Sequence, residues 1–275
     1  MTTVTQAVEA LVRKTVVLSD EDLGREWKWG AYDEEGLRFA LLMTHHELRD
    51  LAARLAAKRT ALAQAAAVLA QYHEAYRDLT GALASARTED LDRAPAEGQW
   101  PLREVAKHVL DAEYGFLMAC RFGLERSRAG KVGEPPDEEI DAYRVPYDTD
   151  GRAAVEALVG ATIAQLRDAF ATVHIRVLRE LGDITDSEIE TPVWFWDGPM
   201  PLRFRLHRFE EHLRQHTIQL DKTLAGIGRP PTEAHRLVRN IYNGLADVES
   251  APEPAEELRA QVARTISDRA GAIDS

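Results

Sequence analysis

Apolar residues recur every three or four positions along most of this chain, a spacing that is typical of amphipathic α-helices. The longest stripes predict four helices, over residues 58–86, 101–127, 151–181 and 202–227. Pro101 suits a first helical position, and Gly182 and Gly228 suit the ends of the third and fourth helices. No convincing run of alternating apolar and polar residues predicts a strand. The pattern predicts an all-α fold, a four-helix bundle in which side chains on facing helices build the site.

Further amphipathic segments flank this bundle on both sides. One predicts a helix over residues 33–57, and two more lie between Leu237 and Val248 and between Leu258 and Ile266. No role for these segments is evident from their residues. We therefore expect three parts: an N-terminal helical extension at 1–57, the bundle at 58–228, and a C-terminal helical extension at 229–275.

Two long connections interrupt the bundle helices, at residues 129–150 and 183–200. Long loops in compact domains often carry function, so both are candidates for the walls of a pocket. The second contains an aromatic run of Trp, Phe and Trp at residues 194–196, which either roofs a pocket or packs into the core.

Composition adds an acidic character to this picture. The 275 residues are 45% hydrophobic and 29% charged, with a formal net charge of −12. Nucleic-acid binding rests largely on Lys and Arg that neutralise phosphates, so we expect no nucleic-acid partner. The N-terminus lacks the basic start of a signal peptide and no apolar stretch approaches about 18 residues, so we expect a cytoplasmic protein with no membrane partner. The single cysteine, Cys120, is interpreted as a small buried apolar residue.

Three of the nine histidines form a candidate metal site. His212 and His216 are four residues apart, so on a helix they project from one face, as two ligands of a single metal must. His108 on the second predicted helix could complete the set, and Gln219 faces the same way as His212. Three neutral imidazoles suit a divalent transition metal and leave a coordination position open. Zinc is the first expectation, with nickel, iron or manganese as alternatives.

Other polar and aromatic residues lie close to these histidines in the sequence. Asp111 and Glu104 are each expected either to hydrogen-bond His108 or to be solvated. An iron site of two histidines and one carboxylate would need Asp111 as a ligand, and a zincin would need glutamate where Leu213 stands. Both of these sites are set aside. Trp100 is interpreted as a packing anchor at a helix start.

The remaining histidines are interpreted as structural. A histidine in an apolar stripe is more often a hydrogen-bonded core residue than a ligand. This interpretation covers His45, His46, His73, His174 and His235. His207 lies about 140° around the helix from His212 and is left out of the site.

The segment QWPLREVAKHVLDAE, followed at long range by HLRQHTIQLDKTL, resembles the DinB/YfiT-like superfamily of four-helix-bundle metalloenzymes. In that family one histidine of the second helix and a His-x-x-x-His of the fourth hold a divalent metal. The resemblance therefore implies His108, His212 and His216 as ligands, and Gln219 matches the family glutamine. The preceding Thr and Ile replace the Arg and Gly that are usual there. The resemblance covers roughly residues 58–228.

The resemblance implies a range of chemistry. Better understood members activate a low-molecular-weight thiol for transfer or isomerisation, as in thiol-dependent transferases and maleylpyruvate isomerases. It therefore implies a small-molecule substrate and a metal-activated thiol or water, most directly in a thiol-dependent transferase. A metal-dependent hydrolase and a non-catalytic ligand-binding or interaction bundle stay open as alternatives. A homodimer is compatible with the long apolar helix faces.

Overall fold

The computed structural model describes residues 2–28, 36–56, 63–194, 199–251 and 255–273. These residues form an all-α fold with one short hairpin. The helices are α1 (Val4–Thr15), α2 (Asp20–Leu23), α3 (Arg38–Ala56), α4 (Gln64–Ala84), α5 (Leu102–Arg128), α6 (Asp137–Glu156), α7 (Ile163–Leu181), α8 (Leu202–Gly226), α9 (Glu233–Glu249) and α10 (Glu256–Ala272). None of the described helices combines the length and the apolar character needed to cross a lipid bilayer.

The chain forms two compact units. The terminal unit contains Met1–Ala61, Arg77–Ala86 and Gly228–Ser275, and the central unit contains Leu62–Tyr76 and Arg87–Ile227. Helix α4 contributes its first half to the central unit and its second half to the terminal unit.

The terminal unit joins the two ends of the chain. Helices α1 and α3 each pack against α9 and α10, around a continuous apolar core. Arg269 of α10 is fully buried and is neutralised by Glu47 of α3, with Nη2 2.7 Å from Oε1. Its Nη1 also donates to Thr44 Oγ1 at 2.8 Å, so this buried cation is paired as burial requires. Arg77 on the second half of α4 bonds Glu249 of α9.

The central unit is a helical bundle arranged around α5, which packs against α6, α7 and α8. Helix α5 is buried on most of its faces, and its aromatic residue Phe116 meets Phe209 of α8 edge to face at 5.6 Å. Tyr72 on the first half of α4 lies 5.1 Å from the same Phe209 ring. These apolar contacts fix how the helix that carries His108 faces the helix that carries His212.

Helices α5 and α8 confirm the sequence prediction to within a residue or so at each end. The helix predicted over residues 58–86 is described over Gln64–Ala84, and residues 57–62 lie outside the described part. Helix α1 was not predicted. Its start is fixed by a capping box in which the Thr3 side chain accepts from the Gln6 backbone and the Gln6 side chain accepts from the Thr3 backbone.

The prediction was wrong between residues 129 and 162. The expected loop is largely helix α6, and the third bundle helix, α7, begins at Ile163 and not after residue 150. Pro136 at the N-cap and three acidic residues in the first turn favour a helix start, and packing on α5 tolerates Pro146 inside the helix. Gly151 permits the close approach, because a Cβ there would lie 3.2 Å from Tyr114 Cβ. Helix α7 starts at a capping box that pairs Thr162 with Gln165.

A short hairpin lies inside the predicted loop at 183–200, where the sequence pattern predicted no strand. Its strands are β1 (Pro192–Trp194) and β2 (Pro199–Pro201), antiparallel, with Val193 opposite Met200. Val193 is fully buried against Gly123 of α5. The hairpin is therefore anchored to the bundle by a glycine that leaves room for one valine.

We expect Gly123→Ala to lower the free energy of unfolding by about 1–3 kcal/mol, because overpacking forces side chains and backbone to shift. The added Cβ would lie 2.5 Å from Val193 Cγ2, a contact that one of the two residues must relieve by moving. Thermal unfolding followed by circular dichroism measures the change.

Gly115→Ala is the matched control on the same helix. A Cβ at Gly115 meets nothing within 4 Å, so alanine should stabilise α5, by roughly 0.5–1 kcal/mol. Equal melting temperatures for the two variants would contradict the packing argument.

Candidate metal centre

The structure brings the three predicted histidines together. His212 and His216 lie one turn apart on α8 and are both buried, while His108 reaches them from α5 and keeps an exposed side. His212 Nε2 lies 3.2 Å from His108 Nε2 and 3.1 Å from His216 Nε2. The three candidate ligand atoms all lie within 4.8 Å of one another. Three imidazole nitrogens thus converge on one small space between two helices.

Gln219 fixes the orientation of His216. Its Oε1 lies 2.7 Å from His216 Nδ1, and because a carbonyl oxygen only accepts, Nδ1 carries the hydrogen. The Nε2 atom of His216 then presents its lone pair toward the other two histidines. A hydrogen bond on the distal nitrogen is how proteins commonly orient a ligating imidazole.

Burial keeps the two α8 imidazoles uncharged. Desolvation, followed by the neighbouring His216 and His108, lowers the pKa of His212 to about 3. Desolvation also lowers the pKa of His216, although its hydrogen bond to Gln219 partly opposes the shift. A neutral imidazole is the form that binds a metal, so this environment prepares both side chains as ligands at neutral pH.

The donor set fits a divalent transition metal. Two nitrogens that bind one ion at about 2.0–2.1 Å lie about 2.9 Å apart at a right angle and about 3.3 Å apart at a tetrahedral angle. The observed separations of 3.1 and 3.2 Å fall between these values. Within the described chain, no fourth His, Cys, Asp or Glu joins the group. The three histidines could therefore hold an ion and leave a coordination position open.

A large cavity borders the histidines. It has a volume of about 1030 Å³ and reaches His108 and His212 from the side of α6. Charged residues of both signs line it, namely Asp111, Asp137, Asp141, Arg144, Asp148, Arg205 and Arg208. Arg144 Nε lies 2.9 Å from Asp148 Oδ2 on the same helix. The predicted loop at 129–150 thus contributes to the pocket wall as expected, but as the helix α6.

Among the residues beside His108, Trp100 differs from expectation, whereas Glu104 and Asp111 are exposed, as in the solvated alternative. Trp100 is 48% exposed and its ring lies 5.4 Å from the His108 ring, so the packing-anchor interpretation is wrong. Glu104 bonds Lys107 at 2.8 Å. Asp111 lines the cavity, and among the described contacts it makes no hydrogen bond to His108. Because His108 points at His212, a site that replaces His108 by Asp111 gains no support.

The aromatic run at residues 194–196 falls partly outside the described residues. Trp194 is described and lines a separate cavity of about 110 Å³ with Phe122 and Gly123, so it does not roof the histidine cavity. Phe195 and Trp196 lie outside the described part of the chain.

Two further sequence interpretations are confirmed. His73 Nδ1 lies 2.8 Å from His174 Nε2, so these two histidines are hydrogen-bonded residues of the bundle. Cys120 is fully buried, and burial raises the pKa of its thiol to about 12. His207 is partly exposed, 4.0 Å from Glu210. None of these residues joins the three-histidine group.

The sequence analysis missed a buried acid on the ligand helix α5. Glu113 is buried in the bundle, and Tyr72 of α4 donates its hydroxyl hydrogen to Glu113 Oε2. Burial raises the pKa of Glu113 to about 8, although the hydrogen bond from Tyr72 opposes the shift. No motif marks this pair, because its partners lie on different helices.

A family comparison decides the affiliation of the chain. The family model of the DinB superfamily matches residues 71–220, which is more than half of the chain. The chain belongs to the DinB superfamily. No curated protein and no solved structure shows a significant match to it. The match covers α5 and most of α8, so all three histidines lie inside the DinB region. Superfamily membership together with the histidine cluster fits a metal-dependent enzyme.

Glu113 should make stability fall as the pH rises. In the unfolded chain the carboxyl ionises near its ordinary pKa of 4.5, whereas the folded carboxyl stays protonated up to about 8. The folded state then binds more protons in this window, so the free energy of unfolding decreases with rising pH. Glu113→Gln resembles the protonated form. It should remove this pH-dependent part of the free energy of unfolding, which is on the order of a few kcal/mol.

Urea denaturation at intervals from pH 5 to pH 9 measures the effect as the difference between wild type and Glu113→Gln. The exposed residue Glu257 provides the control, because Glu257→Gln should leave the wild-type slope in place. Parallel pH profiles for wild type and Glu113→Gln would show that the buried carboxyl does not bind the extra proton.

Proposed function

We propose that this protein is a metal-dependent, thiol-dependent transferase of the DinB superfamily that acts on a small-molecule substrate. His108, His212 and His216 would hold the divalent ion, with zinc as the first candidate. The observation that carries the proposal is the convergence of three Nε2 atoms, at 3.1 and 3.2 Å, beside a large cavity.

The charge state of the ligand set supports activation chemistry. All three proposed ligands are imidazoles, which carry no charge when they bind a metal, and no carboxylate of the described chain joins them. A divalent ion in such a set would keep its full charge, and it would lower the pKa of a bound thiol or water. The exposed side of His108 leaves access from the cavity.

The cavity supports a polar thiol as one ligand. Its volume of about 1030 Å³ is at the upper end for small-molecule pockets, which run from roughly 300 to 1,000 Å³. Asp141 and Asp148 flank Arg144 on one wall, and Arg208 lies on another. Such a lining suits a polar thiol that carries charged groups. The residues would orient the thiol, and the histidines would present its sulfur to the reaction partner.

Two alternatives make different predictions. A metal-dependent hydrolase would use the same histidines but would turn over substrate without added thiol. A non-catalytic ligand-binding or interaction bundle would show no turnover, whether or not metal is bound. A homodimer is compatible with each of the three.

We expect metal content to follow the histidines. Wild-type protein purified without a histidine tag should carry about one equivalent of a transition metal, and His108→Ala and His216→Ala should lose it because two imidazoles bind weakly. Elemental mass spectrometry measures the metal content, and thiol-dependent turnover should fall with it.

His207→Ala is the matched control on the same helix, since His207 is partly exposed and points elsewhere. It should retain metal and turnover. Unchanged metal content in His216→Ala would show that these histidines do not form the metal site. Turnover that does not depend on added thiol would favour the hydrolase.

Gln219 should act on metal affinity through His216. Gln219→Met removes the acceptor for His216 Nδ1 and is expected to weaken metal binding about 10- to 100-fold, the usual effect of losing such a partner. Gln219→Glu keeps an acceptor at the same position and should bind at least as tightly as wild type. Competition with a chromophoric chelator gives both affinities. Equal affinity of Gln219→Met and wild type would contradict the orienting role.

A further inference from the structure

A second cavity is lined by residues that contact the histidine cluster. We call it the Trp100 groove, and it has a volume of about 680 Å³ between the start of α5 and the middle of α8. Its lining includes Gln99, Trp100, Gln215, Ile218, Gln219 and Lys222. The groove touches the site at two points. The Trp100 ring lies 5.4 Å from the His108 ring, and Gln219 bonds His216.

The groove exposes two large apolar side chains to the same space. Trp100 is 48% exposed and Ile218 is 61% exposed. Single exposed apolar residues are ordinary on a protein surface, but a concave site that joins two of them next to a reactive centre is typical of a ligand subsite. An indole face exposed in this way offers a flat ligand a stacking surface.

The charge in the groove is opposite to that of the chain as a whole. The protein has a formal net charge of −12, yet Lys222 is the one charged residue among the described residues that line the groove. Within the described chain, Lys222 forms no ion pair. Ile218 and Lys222 are one turn apart on α8, so the cation lies at the end of the apolar surface. Amide groups of Gln99 and Gln215 add hydrogen-bond donors.

We propose that the Trp100 groove binds an aromatic carboxylate, the second substrate of the transferase proposed above. The ring would pack between Trp100 and Ile218, and the carboxylate would face Lys222. The large cavity borders His108 and His212, whereas the groove borders Gln219 and Trp100. Thiol and aromatic acid would thus occupy different cavities, with Trp100 also lining a further cavity that includes His108 and Asp111.

Isothermal titration calorimetry with 2-naphthoate and its neutral analogue 2-naphthamide tests the inference. Both are titrated into metal-free and metal-loaded protein, because a carboxylate could also bind a metal directly. We expect 2-naphthoate to bind the metal-free protein more tightly than 2-naphthamide. The expected ratio is about three- to five-fold, the contribution of one charge pair near the surface.

Three variants locate the binding. Trp100→Ala should weaken both ligands about ten-fold, because it removes the stacking surface. Ile218→Ala should weaken both less, and Ile175→Ala is its control, since Ile175 is an equally exposed isoleucine on α7. Lys222→Gln should remove the preference for 2-naphthoate, whereas Lys131→Gln, a change at the separate small cavity, should keep it.

Several outcomes would overturn the inference. One is equal binding of the acid and the amide to wild type. Another is binding that requires metal and ignores Trp100→Ala and Lys222→Gln, which would place the carboxylate on the ion. A dimer that Trp100→Ala or Ile218→Ala converts to monomer, measured by light scattering, would assign the groove to a second copy. Metal content and thiol-dependent turnover are measured in parallel. The binding of an aromatic acid in the groove can therefore be refuted without refuting the proposed transferase.

Discussion

The contact between α5 and α8 is the interaction on which the site depends. Phe116 of α5 lies edge-on against Phe209 at 5.6 Å and against His212 at 5.3 Å. These ring contacts exclude water and set the depth at which α8 packs, and therefore the distance at which His108 meets the α8 pair. A histidine pair on an isolated helix would be solvated and could become protonated near neutral pH. Packing against α5 supplies both the third imidazole and the dry environment that keeps the pair neutral.

The same apolar core shifts the pKa of buried acids upward and of buried bases downward, so both kinds of side chain become uncharged. It lowers the pKa of His212 to about 3 and raises the pKa of Glu113 to about 8. At neutral pH the acid and the bases of this core are therefore uncharged. No carboxylate of the described residues joins the three histidines, so the charge of an ion placed among them would act on whatever ligand enters from the cavity. The uncharged state of these buried side chains thus lowers the cost of burying them and also leaves them ready to bind a metal ion.

Sequence reasoning succeeded where local geometry decides the outcome. The spacing of His212 and His216 on a helix fixes their common face whatever the tertiary fold, and the apolar stripes predicted α5 and α8 almost to the residue. It failed where tertiary contacts override local preference. Residues 129–150 were predicted as a loop, but burial of Tyr147 and the close approach at Gly151 hold α6 as a helix. The exposure of Trp100 was not predicted either, because a tryptophan at a helix start was expected to pack inward.

The proposed transfer reaction would hold two unlike molecules beside one centre, and the two cavities differ in their linings. One cavity is large and lined by charges of both signs, and the other combines two exposed apolar side chains with amide groups and a single cation. A hydrolase needs one substrate pocket and a water molecule, so the Trp100 groove would have no separate part in its reaction. A transferase must hold two unlike molecules against one centre, and environments of different polarity let it discriminate between them before they meet. His108 and His212 line the large cavity, whereas the Trp100 groove reaches the histidines through Trp100 and through Gln219, which bonds His216, so the two molecules of a transfer reaction would meet the centre through different residues.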